Sequence, residues 1–263
     1  MAVDIHSTAI VDSSAELDEN VSVGPFSIIE ANTQIGSGTS IGSHAFIGWG
    51  TRLGKNLRIF HGASIGTIPQ DLKFAGEETT LHIGDNTIIR EFCTLNRGTK
   101  EAGVTKIGAN CALLAYCHVA HDCIVGDNVI VSNNLAMAGH VHVGNFVGIG
   151  GVVAIHQFCR VGDYAFIQAG TRLVKDVLPF AMIGGDPADP KVVGVNTVGL
   201  QRRGFDSDRR NRIRRAYRIL FKKAETVEDG VRQIEEMYPD DSDIKSIISF
   251  VKNSERGIAR MAH

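Results

Sequence analysis

The 263-residue chain is poor in aromatic residues, which make up 6% of it, and holds a single Trp and six Pro. Rings to stack on nucleic-acid bases are therefore scarce. Net charge is also small, −2 at pH 7, so nothing pulls the whole molecule toward nucleic acid or an anionic membrane. There is no run of about 18 apolar residues, which excludes the signature of a transmembrane helix. Met1 to His6 lack the basic and apolar regions of a secretion signal, so a soluble, cytoplasmic protein is expected. The five Cys are an odd number, which fits reduced thiols better than a disulfide framework. What the chain has in quantity is Gly, 29 residues, more than average usage gives.

Many of these Gly residues mark a repeat. Cut in sixes, the chain reads "AELDEN VSVGPF SIIEAN TQIGSG TSIGSH AFIGWG TRLGKN LRIFHG", and the third residue of each block is large and aliphatic. The register runs from Val11 to Ile65, resumes from Ile83 to Leu95, and resumes again from Ile107 to Leu173. A helix needs a period near 3.6 and a simple strand needs 2. A period of six fits a short strand plus a tight corner, with Gly or Asn at the corner, where positive φ is cheap. Three such hexapeptides make the three sides of one triangular coil. Stacked coils bond strand to strand in parallel and bury a column of aliphatics. Each buried aliphatic contributes roughly 1.5–3 kcal/mol. Two stretches break the register by whole multiples of six. In "GTIPQDLKFAGEETTLH" (66–82) Asp71 and Glu77 stand where aliphatics belong, and in "NRGTKEAGVTK" (96–106) Glu101 does. Both are expected to be loops extruded from intact coils, and long loops on a rigid scaffold are often functional.

The stretch "AYCHVAHDCIVGDN" (115–128) holds Cys117, His118, His121, Asp122 and Cys123, residue types that bind zinc. The register separates them. The position two residues before each aliphatic carries small residues such as Ala15, Ser27 and Thr33, and all five Cys fall there. They read as small core fillers facing the axis, so no metal is expected. His118, His121, Asp122, His140 and His156 instead gather in one sector of the coil. Histidine is suited to general-base work near neutral pH. With no serine elbow and inward thiols, direct transfer with a histidine base is the economical chemistry.

Past Leu173 the repeat stops, and a Pro- and Gly-rich connector follows. From Ser207, Ile213, Ala216, Tyr217, Leu220 and Phe221 follow helical spacing. Thr226 with Asp229 opens a second helix, and Ile244, Ile247, Ile248 and Val251 mark a third. Residues 201–223 hold ten Lys or Arg against two Asp, a net +8. That face is either solvated or a dock for an acidic partner. The domain reading is a β-helix over 1–186 and a helical domain over 187–263.

The repeat resembles the hexapeptide-repeat acyltransferases, which implies a left-handed parallel β-helix. Handedness comes from the resemblance, since the general crossover rule favours the right hand. The similarity is specific in "PQDLKFAGE", "RGT", "HVAHDC", "AGHVHVG", "HQFC", "GVN" and "RRGF". It is closest to members that move a (3R)-3-hydroxyacyl group from acyl carrier protein to the 3-position of UDP-N-acetylglucosamine, the first step of lipid A biosynthesis. By motif, His121 would be the general base and Asp122 the residue that orients it. Asp71 and Lys73 would hold the substrate, and His118, His140, His156 and Gln157 would line the cleft. Asn196 and Arg202 would touch the nucleotide. The resemblance also implies a homotrimer with clefts between subunits, an acyl carrier protein partner for the basic helix, and no cofactor. The chain departs from the pattern at Asn96, Val198, Gln168 and Ala169; the last two fall where many members have Gly-Gly and where acyl length is limited. Rival readings are a sister enzyme acylating the sugar 2-amine, a zinc carbonic anhydrase on the same fold, and a solenoid without chemistry.

Overall fold

The computed structural model describes residues 2–262. The chain winds as a left-handed parallel β-helix followed by helices. Strands of mostly two residues, from Asp4–Ile5 to Arg172–Leu173, form three sheets, and every third strand falls in the same sheet. Val125 pairs with Val143 and Val143 with Val161, so one regular coil takes three hexapeptides. A two-residue strand turns one side chain inward, and here it is the expected aliphatic, buried from Val23 onward. Ile65 pairs with Leu95 and Ile83 with Ile107, steps longer than a regular coil by two hexapeptides and by one. The excess is carried by segments 68–79 and 97–103 while the coils close beneath them.

The corners differ from expectation. Gly66 apart, the Gly that follows the aliphatic does not take positive φ. It is needed because coils approach closely there: a Cβ on Gly36 would lie 2.6 Å from the Gly54 carbonyl carbon, and one on Gly150 would lie 2.5 Å from the Ala169 nitrogen. Positive φ falls two residues later, at Asn56, Asn86 and Asn110 but also at Phe92, Tyr116, Asp122, His140 and Phe158. A left-handed conformation costs such residues about 1–2 kcal/mol. Asn tolerates it, and the Asn86 side-chain amide donates to Asn110 Oδ1 at 3.3 Å. The aromatics offset it by stacking from coil to coil. Phe92 lies on Tyr116 at 5.3 Å and Phe146 on Tyr164 at 4.9 Å, and such pairs contribute about 0.5–1.5 kcal/mol each.

The coil also continues beyond Leu173. Val177 bridges Val161, and Ile183 pairs with Ile167, each step two residues short of a regular coil. One shortened side hides this last coil from a strict count of six. The stretch read as a connector supplies the strand Ala181–Gly184 and its antiparallel neighbour Lys191–Val195.

Helix α1 (Thr197–Arg202) follows, then α2 (Ser207–Arg218) with a π-helical turn at Ile219–Lys223, α3 (Val227–Met237) and α4 (Ser242–Lys252). The six residues of α1 are too few to show an apolar period, so the sequence pattern does not reveal it. Asp206 caps α2 by accepting the Arg209 N–H, and Thr226 caps α3 by accepting that of Asp229. Ile213, Ala216, Tyr217 and Leu220 bury their stripe in one core with Ile244, Ile247 and Ile248. Phe221 is only partly buried.

Candidate active site

His121 stands two residues past Val119, on the turn between the strands His118–Val119 and Ile124–Val125. Side chains of neighbouring strand residues diverge, but Asp122 is a corner residue with φ of 60°. The corner swings its carboxylate back, and Asp122 Oδ2 lies 2.8 Å from His121 Nδ1. The Asp122 side chain is 0% exposed. Burial pushes its carboxyl up, but hydrogen bonds from His121 and from the Thr99 side chain and backbone outweigh this and hold it below the ordinary carboxylate range. The Asp122 N–H donates to Thr105 Oγ1 at 2.8 Å, which fixes the corner itself.

One coil above, His140 is again a corner residue, with φ of 59°. Its ring stacks on Phe158 at 4.6 Å and meets His121 edge-on at 5.2 Å. Its Nε2 lies 3.6 Å from Asp122 Oδ2 and 3.4 Å from Glu101 Oε2. His118 Nδ1 lies 2.7 Å from Thr94 Oγ1, and burial lowers its imidazole, which is therefore neutral at pH 7. His118, His121, His156 and Gln157 line one open cavity of about 500 Å³ together with Gln70.

The thiols of the same stretch point the other way. Cys117 and Cys123 are fully buried, and their Sγ atoms donate to the carbonyls of Ser132 and Ala138 at 3.3 and 3.2 Å. Burial pushes the Cys123 thiol up to about 12, so it stays protonated. The thiols are therefore not available to a metal beside the imidazoles.

Other predicted residues lie elsewhere on the chain. Lys73 is exposed in segment 68–79, where its N–H donates to Asp71 Oδ1 at 2.9 Å; neither residue lines the histidine cavity. Asn196 and Arg202 line a separate cavity of about 490 Å³ with Val198, Arg203, Phe146 and Tyr164. Both ends of the Asn196 side chain are engaged there: Nδ2 donates to the Tyr164 carbonyl at 2.9 Å, and Oδ1 accepts the Gly199 N–H at 3.1 Å. Ala169 is exposed beside the corner at Gly170. Along α2, Arg209 forms a two-bond pair with Asp243, and Arg212 pairs with Asp241. Part of the +8 seen in the sequence is thus neutralised by α4.

Three residues that support the His121–Asp122 pair were not singled out from the sequence. Thr99 and Thr105 hold Asp122, and Gly139 makes room for the ring: a Cβ there would lie 2.6 Å from His121 Cε1. The "RGT" and "AGH" motifs carry Thr99 and Gly139. Their contact with the pair depends on how the loop folds back and how the coils stack. Glu101, marked by the break in the register, reaches His140 rather than His121. Gln70, in the "PQDLK" motif, was likewise unassigned.

Comparison with known proteins agrees with this architecture. The profile of a bacterial transferase hexapeptide family (six repeats) matches residues 14–48 and 105–136. That of the family described as Udp N-acetylglucosamine O-acyltransferase, Domain 2, matches residues 176–259. The acyl-(acyl-carrier-protein)–UDP-N-acetylglucosamine O-acyltransferase of Paracidovorax citrulli is 54% identical over 97% of this chain and 99% of its own length. The enzyme of the same name from Alkalilimnicola ehrlichii is 46% identical over 96% of this chain and 97% of its own. Among solved structures, LpxA from Acinetobacter baumannii superposes with a TM-score of 0.93 at 43% identity, covering 97% of this chain and 99% of that one. The UDP-N-acetylglucosamine acyltransferase of Francisella novicida gives 0.95 at 38% identity, covering 97% of this chain and 94% of that one. Among the described residues no helix is long and apolar enough to cross a membrane.

Proposed function

The chain belongs to the UDP-N-acetylglucosamine O-acyltransferase family, and from that premise we propose that His121 is the base with which it acylates UDP-N-acetylglucosamine from acyl carrier protein. The observation that carries this reading is the His121–Asp122 pair, 2.8 Å apart at the wall of an open cavity. Asp122 holds Nδ1–H, which leaves the lone pair on Nε2 of a ring that lines the cavity. His121 Nε2 takes the proton of the sugar 3-hydroxyl as that oxygen attacks the thioester carbonyl carbon. The carbonyl reforms, the C–S bond breaks, and the imidazolium returns the proton to the departing thiolate. No cofactor enters this sequence. The acyl group transferred is a (3R)-3-hydroxyacyl chain, and the reaction opens lipid A biosynthesis in the cytoplasm.

His121, Ala169 and the Asn196–Arg202 cavity occupy different parts of one prism. A homotrimer brings different edges of neighbouring protomers face to face, so that one cleft holds the base, the residues that bind the nucleotide, and Ala169 at the acyl end. Asp71 and Lys73, on an exposed segment, close on the substrate, with Lys73 near its phosphates. Asn196 contributes through the end of α1 that it caps, and Arg202 through its charge.

The direct test is incubation with UDP-N-acetylglucosamine and a panel of 3-hydroxyacyl carrier proteins, with the product weighed and its ester or amide linkage established. His121→Ala is expected to lower kcat by about 10²–10⁴-fold, the range for loss of a general base. A variant within tenfold of the parent, folded by circular dichroism, would move the role to another histidine of the cavity.

A further inference from the structure

The acyl transfer derived above uses one imidazole and one carboxylate, yet two of each converge. We propose that His121, Asp122, His140 and Glu101 form a site for a divalent cation of the Zn2+ class, and that its binding switches the base off. The inhibitory half of this proposal rests on His121 being the base.

The donor atoms are already grouped. Asp122 Oδ2 is 2.8 Å from His121 Nδ1 and 3.6 Å from His140 Nε2, and His140 Nε2 is 3.4 Å from Glu101 Oε2. One ligand atom from each of His121, Asp122 and His140 lies within 4.8 Å of the others. Tetrahedral zinc with bonds of about 2.0–2.2 Å sets its donors roughly 3.3–3.6 Å apart. Two of the three links match; the His121–Asp122 contact has to open, and the Glu101 carboxylate, which lies outside the group of three, has to swing in to complete the set. Two imidazoles and two carboxylates form a donor set that zinc accepts, and the carboxylates balance its charge. The surroundings hold these donors in place. Phe158 fixes the His140 ring, and Thr99 grips both Asp122 oxygens. Glu101 is anchored through its N–H to Thr99 Oγ1 at 3.2 Å, while its side chain, 58% exposed, can settle onto an ion.

Coordination would reverse the tautomer of the base. In the free site Nδ1 carries the proton and Nε2 the lone pair. A neutral imidazole bound to metal through Nδ1 carries its proton on Nε2. Nε2 then has no lone pair for the substrate proton, and turnover stops without the cavity being filled. The five buried thiols do not compete for the ion.

The test titrates the metal-free full-length protein with Zn2+ by calorimetry and with Co2+ by visible absorption, and measures turnover at the same metal concentrations. One ion per chain, a tetrahedral Co2+ spectrum, and turnover lost in proportion to occupancy and restored by a chelator are expected. Glu101→Gln should keep metal-free turnover, weaken Zn2+ binding at least about tenfold, in line with the cost of losing even an outer partner, and shift the inhibition curve by the same factor. Unchanged affinity in Glu101→Gln, or full occupancy with turnover intact, would overturn the proposal. His121→Ala read without metal tests the base separately, so failure of one reading is distinct from failure of the other.

Discussion

Thr99 Oγ1 donates to Asp122 Oδ2 at 2.7 Å while the Thr99 backbone N–H donates to Oδ1 at 2.8 Å. A single residue of segment 97–103 thus engages both oxygens of the carboxylate beside His121. Replacing Thr99 with Val removes the hydroxyl donor and leaves the backbone bond. The Asp122 anion is then less stabilised, and its pKa rises. The ionised form that orients His121 is lost at a higher pH, so the acid limb of kcat/KM against pH should move up. A hydrogen bond to a charged group contributes about 1.5–3 kcal/mol, and loss of that much orientation lowers turnover roughly tenfold or more. Thr99→Ser keeps the hydroxyl and should restore both limb and rate. An unmoved limb in Thr99→Val would show that the backbone bond alone suffices.

Gly36 tests the reading of the corners. Its Cβ would meet the Gly54 carbonyl of the next coil at 2.6 Å, and overpacking typically costs about 1–3 kcal/mol. Gly36→Ala should lower the denaturation midpoint clearly. Gly103 has positive φ, 73°, and nothing lies within 4 Å of the place a Cβ would take there. Gly103→Asn, whose side chain tolerates that conformation, should change stability far less. A loss at Gly36 no larger than that at Gly103 would mean that the coils relax around an added methyl and that their spacing does not require Gly there.

Arg210 and Arg214 test whether α2 docks acyl carrier protein. Arg209 and Arg212 are occupied by Asp243 and Asp241, whereas Arg210 and Arg214 bond to the neutral side chains of Gln201 and Asn211. Their charge stays available to an acidic partner. Reversing both to Glu should raise KM for the carrier and flatten its salt dependence, because screening acts on long-range charge. KM for the sugar should hold. An unchanged carrier KM would leave this face as solvated surface.

Ala169 tests whether its surface is the acyl end of the cleft, as proposed. It stands two residues after Ile167, the place His121 holds after Val119, and it is exposed as that register implies. Its methyl stands where the resemblance leads one to expect Gly, so if the acyl tunnel ends there a long chain overlaps it. Overpacking costs about 1–3 kcal/mol, against about 0.8 kcal/mol for each methylene given up. Ala169→Gly should shift competition between carrier-bound chains toward longer ones, and Ala169→Met toward shorter ones. If both variants keep the parent ratio of kcat/KM values, chain length is read elsewhere.

The sequence by itself determined the solenoid, because burial at every sixth residue is a local property. Once Val119 and Val125 face the axis, Cys117 and Cys123 must face it too, and His121 must face out. The repeat by itself therefore separates thiols from imidazoles. It also placed His140 one coil above Asp122, since three hexapeptides return the chain to the same edge. The count of six itself ends at Leu173, short of the domain limit at 186, because a side shortened by two residues breaks the count without breaking the stack that runs on to Ile183. Nor did the repeat show which force shapes each corner: aromatic stacking between coils lets Phe92 and Tyr116 take a conformation their own propensity disfavours. The support of the site lay further out of reach. Thr99 reaches Asp122 across 23 residues of chain, through a segment outside the repeat. Gly139 leaves space for a ring on the coil below. Such contacts depend on where loops fold back and how closely coils approach, and only the tertiary structure decides those distances.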